Sequence, residues 1–175
     1  MIAGGETYEE IYDEMTEVVE LSGTITNSTP SFGTLPSKPF WAVGAMLDNT
    51  PILCGGTNGY GNYFDSCTSF QNSQWNQSHS MNAKRSSAAG VQINSTTIWI
   101  LGGDSRESES SYVFHNSTEF ILQGQTNGVP GPELPYGLSK MCAVNLSAQE
   151  IFVIGGSTDP EESNNLEYQI RVHIE

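Results

Sequence analysis

The sequence predicts an all-β fold built from a repeated unit of about fifty residues. Four Gly-Gly pairs each follow a short apolar run, and the first glycines of successive pairs are 51, 47 and 53 residues apart. The pairs are Gly4-Gly5, Gly55-Gly56, Gly102-Gly103 and Gly155-Gly156. The 18 Gly and 8 Pro among 175 residues disfavour long helices. A recurring period of this size is typical of proteins that stack copies of one supersecondary unit.

The last three glycine pairs each end a predicted β-hairpin. About ten residues before each pair lies another apolar run, and a polar turn that contains Asn joins the two runs. These first runs are residues 41–47, 88–93 and 141–144, and the turns are residues 48–51, 94–96 and 145–148. Residues 98–101 and 151–154 are continuously apolar, which indicates strands buried on both faces. Because glycine has no Cβ, we expect the pairs to turn the chain out of the crowded sheet interior.

A third strand is predicted after each glycine pair. The candidate segments are residues 16–21, 65–71, 118–122 and 167–172. In the second repeat Trp75 marks a fourth strand, and a turn region follows that ends in Lys84-Arg85. The third repeat has Gly-Pro-Glu-Leu-Pro at residues 131–135 in place of these features.

This arrangement resembles the kelch repeat, which has a hairpin ending in Gly-Gly, a third strand, a Trp-bearing fourth strand and an Arg before the next repeat. The resemblance implies one four-stranded blade of a β-propeller per repeat. The whole blades would be residues 41–85 and 87–139, and the partial blades residues 1–40 and 140–175. Because propellers close with about 4–8 blades, we expect a single incomplete kelch-type β-propeller over residues 1–175. It would be a fragment of a longer protein, with Met1 an internal methionine.

One segment near the N-terminus gives conflicting signals. Apolar residues recur at helical spacing between Tyr8 and Val19, with acidic residues between them. The repeat register instead places a loop and then a strand there. We favour the strand for residues 16–21 and leave residues 7–15 open.

Two of the three cysteines stand where a disulfide can form. Cys54 ends a second strand, and Cys67 lies 13 residues later in the third strand of the same predicted blade. Adjacent antiparallel strands can bring two Cβ atoms to bonding distance, but two buried reduced thiols would satisfy the same pattern. The pair looks similar to one found in extracellular kelch-like proteins, which favours the disulfide. Cys142 is expected to be a small buried residue, or to pair with a cysteine outside this sequence.

Five Asn-x-Ser/Thr sequences are candidate glycosylation sites: Asn27, Asn76, Asn94, Asn116 and Asn145. Asn94 and Asn145 occupy the same repeat position, in the predicted hairpin turn. Turns favour Asn, Ser and Thr for conformational reasons as well. Together with the low Lys content and the cysteine pair, these sequences favour an extracellular or cell-surface location, with a cytoplasmic one as the alternative.

Charge and motif content exclude several classes of function. Six Lys plus Arg against twenty Asp plus Glu give a net charge of −14, which argues against binding nucleic acid or an anionic membrane surface. No apolar run is long enough to span a membrane. His79, His115 and His173 lack metal-ligand spacing, and no hydrolase, metalloprotease or phosphate-loop motif occurs. We therefore expect no catalytic residues, no metal and no cofactor within this sequence.

The resemblance implies a non-catalytic module that binds a protein partner through loops at one end of the propeller. The variable segments 57–64, 104–114 and 157–165 would form that surface, and their acidic residues suggest a basic partner. One alternative is a fragment of a propeller enzyme similar to carbohydrate oxidases, with its active residues outside this chain. Another is an intracellular kelch adaptor, in which Cys54 and Cys67 would be reduced.

Overall fold

The computed structural model describes residues 2–3, 16–19, 25–26, 34–59, 61–108, 111–147, 150–158 and 169–173. Within these ranges the chain forms sixteen β-strands and no helix, so the predicted all-β fold is confirmed. Neighbouring strands in every sheet are antiparallel. The described residues accordingly contain no helix that is long and apolar enough to cross a membrane.

Two sheets have four strands each, and in both of them the strands lie side by side in chain order. Sheet 2 consists of β4 (Val43–Leu47), β5 (Thr50–Cys54), β6 (Ser66–Gln71) and β7 (Gln74–Ser80). Sheet 3 consists of β8 (Ala89–Asn94), β9 (Thr97–Leu101), β12 (Thr118–Leu122) and β13 (Val129–Pro130).

Two other sheets have three strands each. Sheet 1 consists of β1 (Ile2–Ala3), β2 (Thr16–Val19) and β3 (Ile25–Thr26). Sheet 4 consists of β14 (Ser139–Ser147), β15 (Glu150–Ser157) and β16 (Gln169–His173). A separate two-stranded ribbon, β10 (Asp104–Ser108) with β11 (Ser111–Phe114), is inserted between β9 and β12.

The predicted strands agree closely with the observed ones. The third strand of sheet 3 has the predicted bounds, 118–122, and that of sheet 2 begins one residue later than predicted, at Ser66. The predicted third strands near the two ends of the sequence correspond to β2 and β16. Trp75 lies on the fourth strand of sheet 2 and is buried.

Three predictions were wrong in detail. Residues 104–108 and 111–114, expected to be part of a loop, form the β10–β11 ribbon, because its ladder is made by backbone N–H and C=O groups, which polar residues carry as well as apolar ones. Asn145, expected in a turn, pairs with Ile151 inside the longer β14–β15 hairpin. Cys142, expected to be buried, is an exposed free thiol, because it points away from the face of β14 on which Met141 is buried. Gly4, Gly5, Asn27 and residues 7–15 lie outside the described residues.

The core consists of two apolar layers, one on each side of sheet 3. Between sheets 2 and 3, side chains of β4, β5 and β6 pack against Ile98, Ile100 and Ile121. Between sheets 3 and 4, alternate residues of β9, Trp99 and Leu101, pack with side chains of β14 and β15. All four residues 98–101 are therefore buried, as their continuous apolar run predicts.

The first strands of sheets 2, 3 and 4 lie next to one another, β4 beside β8 and β8 beside β14. A chain of backbone hydrogen bonds joins the residues just before these strands. The Ser87 amide donates to the Trp41 carbonyl at 2.9 Å, and the Lys140 amide donates to the Ser87 carbonyl at 2.8 Å. Trp41, Ser87 and Lys140 have φ values of 58°, 52° and 56°. The same unusual backbone conformation thus recurs before the first strands of sheets 2, 3 and 4 and links these three sheets in series.

Two glycine pairs occupy equivalent places at the ends of β5 and β9, whereas Gly155-Gly156, predicted to end a hairpin in the same way, lies inside β15. The second glycine of the first two pairs donates its amide proton to a carbonyl in the segment that leads into the next sheet, Gly56 to Arg85 and Gly103 to Leu138, both at 2.8 Å. The first glycines have φ values of 70° at Gly55 and 57° at Gly102. A Cβ at Gly102 would lie 2.3 Å from the Leu138 carbonyl oxygen. Here glycine is required both by backbone conformation and by the close approach of the next sheet.

Candidate functional site

Two of the three predicted surface segments meet at one end of the molecule. The loop after Gly55-Gly56 and the β10–β11 ribbon after Gly102-Gly103 both leave the second strand of their sheet, so they emerge at the same end. Between them lies a cleft of about 510 Å³. Its lining includes Asn62, Tyr63, Lys84, Ser105, Arg106, Glu107 and His115. The third predicted segment, residues 157–165, is described only as far as residue 158.

A disulfide holds the base of the cleft loop. Cys54 and Cys67 are directly paired across β5 and β6, with Cα atoms 4.0 Å apart and an S–S bond of 2.07 Å, so the predicted disulfide is confirmed. The residues between them include the whole loop from Thr57 to Asp65. Isolated antiparallel β-bridges also pair Thr57 with Phe40 and with Tyr63. The loop is therefore fixed both at its base and along its length.

The ribbon carries a stacked cation–aromatic pair. The guanidinium of Arg106 lies 4.2 Å from the centre of the Tyr112 ring and also donates a hydrogen bond to the Tyr112 hydroxyl. Tyr112 is 37% exposed. Such a contact between side chains on paired strands favours one conformation of both residues. The ribbon therefore presents an ordered aromatic side chain at the loop end.

A serine and a histidine are hydrogen-bonded in the wall of the cleft. Ser105 Oγ lies 2.9 Å from Nε2 of His115. Burial and the charge of Arg85 lower the pKa of His115, although a hydrogen bond to the Lys84 backbone opposes them. The ring is therefore neutral at pH 7, and Nε2 can accept the serine proton. The backbone of Lys84, rather than a carboxylate, is the group that orients this ring among the described residues.

Asp104 begins a segment that was predicted to be a surface loop, but its side chain is buried. It is 6% exposed and pairs its backbone with Ser86. The Ser86 hydroxyl donates to Asp104 Oδ2 at 3.2 Å. Desolvation raises the pKa of Asp104, and the nearby serine hydroxyls and the charge of Lys140 lower it again. The carboxylate lies at the start of the ribbon, close to the first strands of sheets 3 and 4.

A buried ion pair, Arg85 with Glu119, lies next to the cleft residue Lys84. Arg85 Nη2 lies 2.8 Å from Glu119 Oε1, and the two side chains are 2% and 1% exposed. Arg85 also donates to the carbonyls of Gly102 and Ser117 at 2.7 and 3.0 Å. Desolvation lowers the pKa of Arg85, while Glu119 raises it. The sequence analysis identified Arg85 only as a feature of the repeat, and it did not predict that Glu119 would be its partner.

The predicted glycosylation residues are distributed over both ends of the described structure. Asn76, Asn94 and Asn145 are exposed on sheets 2, 3 and 4 toward the end opposite the cleft. Asn116 lies at the cleft end, where its side chain donates to Glu133. No group of His, Cys, Asp and Glu side chains suited to a metal occurs among the described residues.

Sequence reasoning did not predict which residues gather at the cleft. It treated His115 as an isolated histidine, and it did not single out Tyr63 or Ser105. Their placement depends on how the ribbon folds back against the preceding loop. The available signal was their position in the repeat: Ser105 lies shortly after a glycine pair, and His115 lies shortly before a third strand.

No family model matches the sequence, and no curated protein matches it. A solved structure titled "Structure of YjhT" is similar in fold, with a TM-score of 0.65 at 12% sequence identity. The similarity covers 81% of this chain and 45% of that one, so the chain spans less than half the length of this neighbour. At this level of identity the comparison concerns the fold alone.

Proposed function

We propose that sheets 1 to 4 are consecutive blades of a kelch-type β-propeller, two of them whole and two partial. The support is the repetition of the same features in sheets 2, 3 and 4. A residue with positive φ precedes the first strand of each of these sheets, and a positive-φ glycine pair recurs at residues 55–56, 102–103 and 155–156. The hydrogen bond from the second glycine amide recurs in sheets 2 and 3. Sheet 3 also buries both faces, as a blade between two others does.

The open face of sheet 4 supports a longer propeller. Cys142, Val144 and Ile154 are exposed there. Their positions relative to Lys140 and Gly155 are the same as those of Val43, Ala45 and Cys54 relative to Trp41 and Gly55. Val43, Ala45 and Cys54 pack into the layer between sheets 2 and 3. A further blade following sheet 4 would cover these side chains in the same way.

We propose that the propeller is a non-catalytic module that binds a protein partner at its cleft end. The observation that carries this proposal is the cleft itself, built by the loops of two successive repeats and lined with both charged and aromatic side chains. Binding surfaces are commonly formed by loops that a rigid scaffold positions. The disulfide and the buried ion pair supply that rigidity.

We propose that the protein is secreted or displayed on the cell surface. The disulfide requires an oxidising compartment to persist. Glycans on Asn76, Asn94 and Asn145 would project from the end opposite the cleft and leave the cleft open. Non-reducing mass spectrometry of the native protein, before and after deglycosylation, tests this location. Free thiols with unmodified Asn94 and Asn145 would contradict it.

The binding proposal is tested by screening the purified protein against arrayed extracellular protein domains. Asn62→Ala and Arg106→Ala alter the cleft, whereas Gln74→Ala alters an exposed residue at the opposite end. We expect a partner whose binding is lost in the cleft variants and kept in Gln74→Ala. Binding that is equally strong in all three variants, or no binding at all, would contradict the proposal.

The hydrogen-bonded Ser105 and His115 require a separate test for catalysis, since a serine next to a neutral histidine is the arrangement of an acyl-transfer nucleophile. We expect no covalent labelling of Ser105 by a fluorophosphonate probe, because no carboxylate orients His115 among the described residues. Labelling that disappears in Ser105→Ala would favour the enzyme alternative.

A further inference from the structure

A second, smaller pocket lies beside the cleft, at the start of the first strands of sheets 2, 3 and 4. Its volume is about 90 Å³. Four aromatic side chains line it, together with Asp104 and Lys140; the aromatic residues are Trp41, Tyr63, Tyr112 and Phe114. Trp41 is 54% exposed, so the mouth of the pocket is accessible in the described structure.

Asp104 has an unused hydrogen-bonding oxygen in this pocket. Oδ2 accepts from Ser86, but Oδ1 is buried and has no hydrogen-bond partner. The buried Ser139 hydroxyl in the same pocket is close enough to lower the pKa of Asp104, but it forms no hydrogen bond of standard geometry. A buried carboxylate oxygen without a donor is unfavourable, because it has lost its bonds to water and gained none in return. A donor supplied by a ligand would remove that penalty.

We propose that this pocket binds a single ammonium or guanidinium group, presented as a Lys or Arg side chain of the protein partner. Aromatic faces attract cations, and a buried carboxylate adds a charge-assisted hydrogen bond. The small volume suits the head of one side chain rather than a whole ligand. The net charge of −14 would attract a basic partner over longer distances. This inference rests on the proposed binding function and names the chemistry that the partner must carry.

Among the described residues, two intramolecular cations lie near this site: Arg106 stacks on the Tyr112 ring, and Lys140 lines the pocket itself. The charge of Lys140 lowers the pKa of Asp104, yet its side chain is exposed and it forms no ion pair with Asp104. It therefore lies at the mouth of the pocket without filling it. An incoming cation would meet repulsion from Lys140, so removing that charge should strengthen binding.

The test is an NMR titration of the full chain with three small probes, observing the indole N–H of Trp41. Acetyl-arginine amide and acetyl-lysine amide carry the cation, and acetyl-citrulline amide is the neutral isostere of the arginine probe. We expect the two cationic probes to shift the Trp41 signal and the citrulline probe to leave it unchanged. Equal shifts from arginine and citrulline, or no shift from either cation, would overturn the proposal.

Variants locate the binding group. Asp104→Asn should weaken binding of the arginine probe about tenfold or more, and Lys140→Gln should strengthen it. If Asp104→Asn does not fold, Tyr112→Ala should weaken binding while Tyr112→Phe, which keeps the ring face, should retain it. Unchanged affinity in Asp104→Asn, or in Tyr112→Ala, would contradict the site. If the probes do not bind but a protein partner binds at the cleft, only this inference is rejected. If the probes bind but no such partner is found, the proposed function is rejected instead.

Discussion

Arg85 lies within the segment that leads from sheet 2 into sheet 3, and its guanidinium is 2.8 Å from the carboxylate of Glu119 in β12. Both side chains are buried. The other oxygen of Glu119 accepts from the backbone and side chain of Asn82. A single ion pair thus joins the chain leaving one sheet to the third strand of the next.

Removing one partner of this pair should destabilise the fold strongly. Glu119→Gln or Arg85→Met leaves a buried charge without its counter-charge, which costs about 3–5 kcal/mol. Urea denaturation followed by circular dichroism measures the change. Arg171→Gln is the matched control, because Arg171 is 62% exposed and 3.8 Å from Glu150, and such pairs contribute about 0–1 kcal/mol. A loss in Glu119→Gln no larger than in Arg171→Gln would contradict the structural role of the pair.

Replacing either of two glycines that have a similar backbone conformation by alanine should lower the free energy of unfolding by different amounts. Gly102 and Gly124 both have positive φ, 57° and 81°. A Cβ at Gly102 would meet the Leu138 carbonyl oxygen at 2.3 Å, whereas nothing lies within 4 Å of one at Gly124. We expect Gly124→Ala to cost about 1–2 kcal/mol from backbone strain alone, and Gly102→Ala to cost clearly more. Equal free energies of unfolding for the two variants would show that the next sheet does not approach Gly102.

The disulfide should stabilise the fold and the cleft loop together. Replacing both Cys54 and Cys67 by Ser should lower the free energy of unfolding by about 3 kcal/mol, because the unfolded chain regains the freedom of the closed loop. Thermal denaturation of the oxidised and reduced protein gives an independent estimate. Cys142→Ser is the control and should have little effect, since Cys142 is exposed and unpaired. A reduced protein as stable as the oxidised one would argue against the bond.

Stability should decline as the pH falls below about 6.5, the ordinary pKa of histidine. Burial lowers the pKa of His115 in the folded protein, so the unfolded chain binds a proton first. The stability that neutral His115 contributes is therefore complete above that pH, and it decreases as the pH falls toward the pKa of His115 in the folded protein. Denaturation midpoints measured between neutral and mildly acidic pH should fall less in His115→Gln than in the native sequence. His79→Gln should act in the same direction, because burial lowers the pKa of His79 as well. Identical pH profiles for the native protein and both variants would contradict this assignment.

The sequence was sufficient to predict the repeated elements. Glycine pairs after apolar runs located the second strands, and the continuous run Ile98 to Leu101 predicted a strand buried on both faces. The predicted strands also place Cys54 and Cys67 on neighbouring strands of one sheet, where their disulfide forms. These features are local: each depends on residue types within one repeat.

The contacts between repeats could not be predicted in this way. Glu119 and Arg85 are 34 residues apart in sequence, and neither residue identifies its partner. Asp104 begins a polar segment that was predicted to be a surface loop, whereas packing against Ser86 buries it. Ser105 and His115 meet only because residues 104–108 and 111–114 form a ribbon rather than a loop. In each case the deciding information is the path of a chain segment across the end of a neighbouring sheet.

The central claim is that consecutive sheets stack with their first strands side by side, and Val43 and Gly90 test it most directly. A Cβ at Gly90 would lie 2.1 Å from a Val43 methyl carbon, so β4 and β8 are in contact at this point. The measurement is a nuclear Overhauser spectrum of the folded chain, with the cross-strand pair Val91 and Trp99 within sheet 3 as the reference. We predict a strong cross-peak between the Val43 methyl group and the Gly90 α-protons. The reference cross-peak without the Val43–Gly90 one would show that the sheets form but do not stack, and would contradict the account.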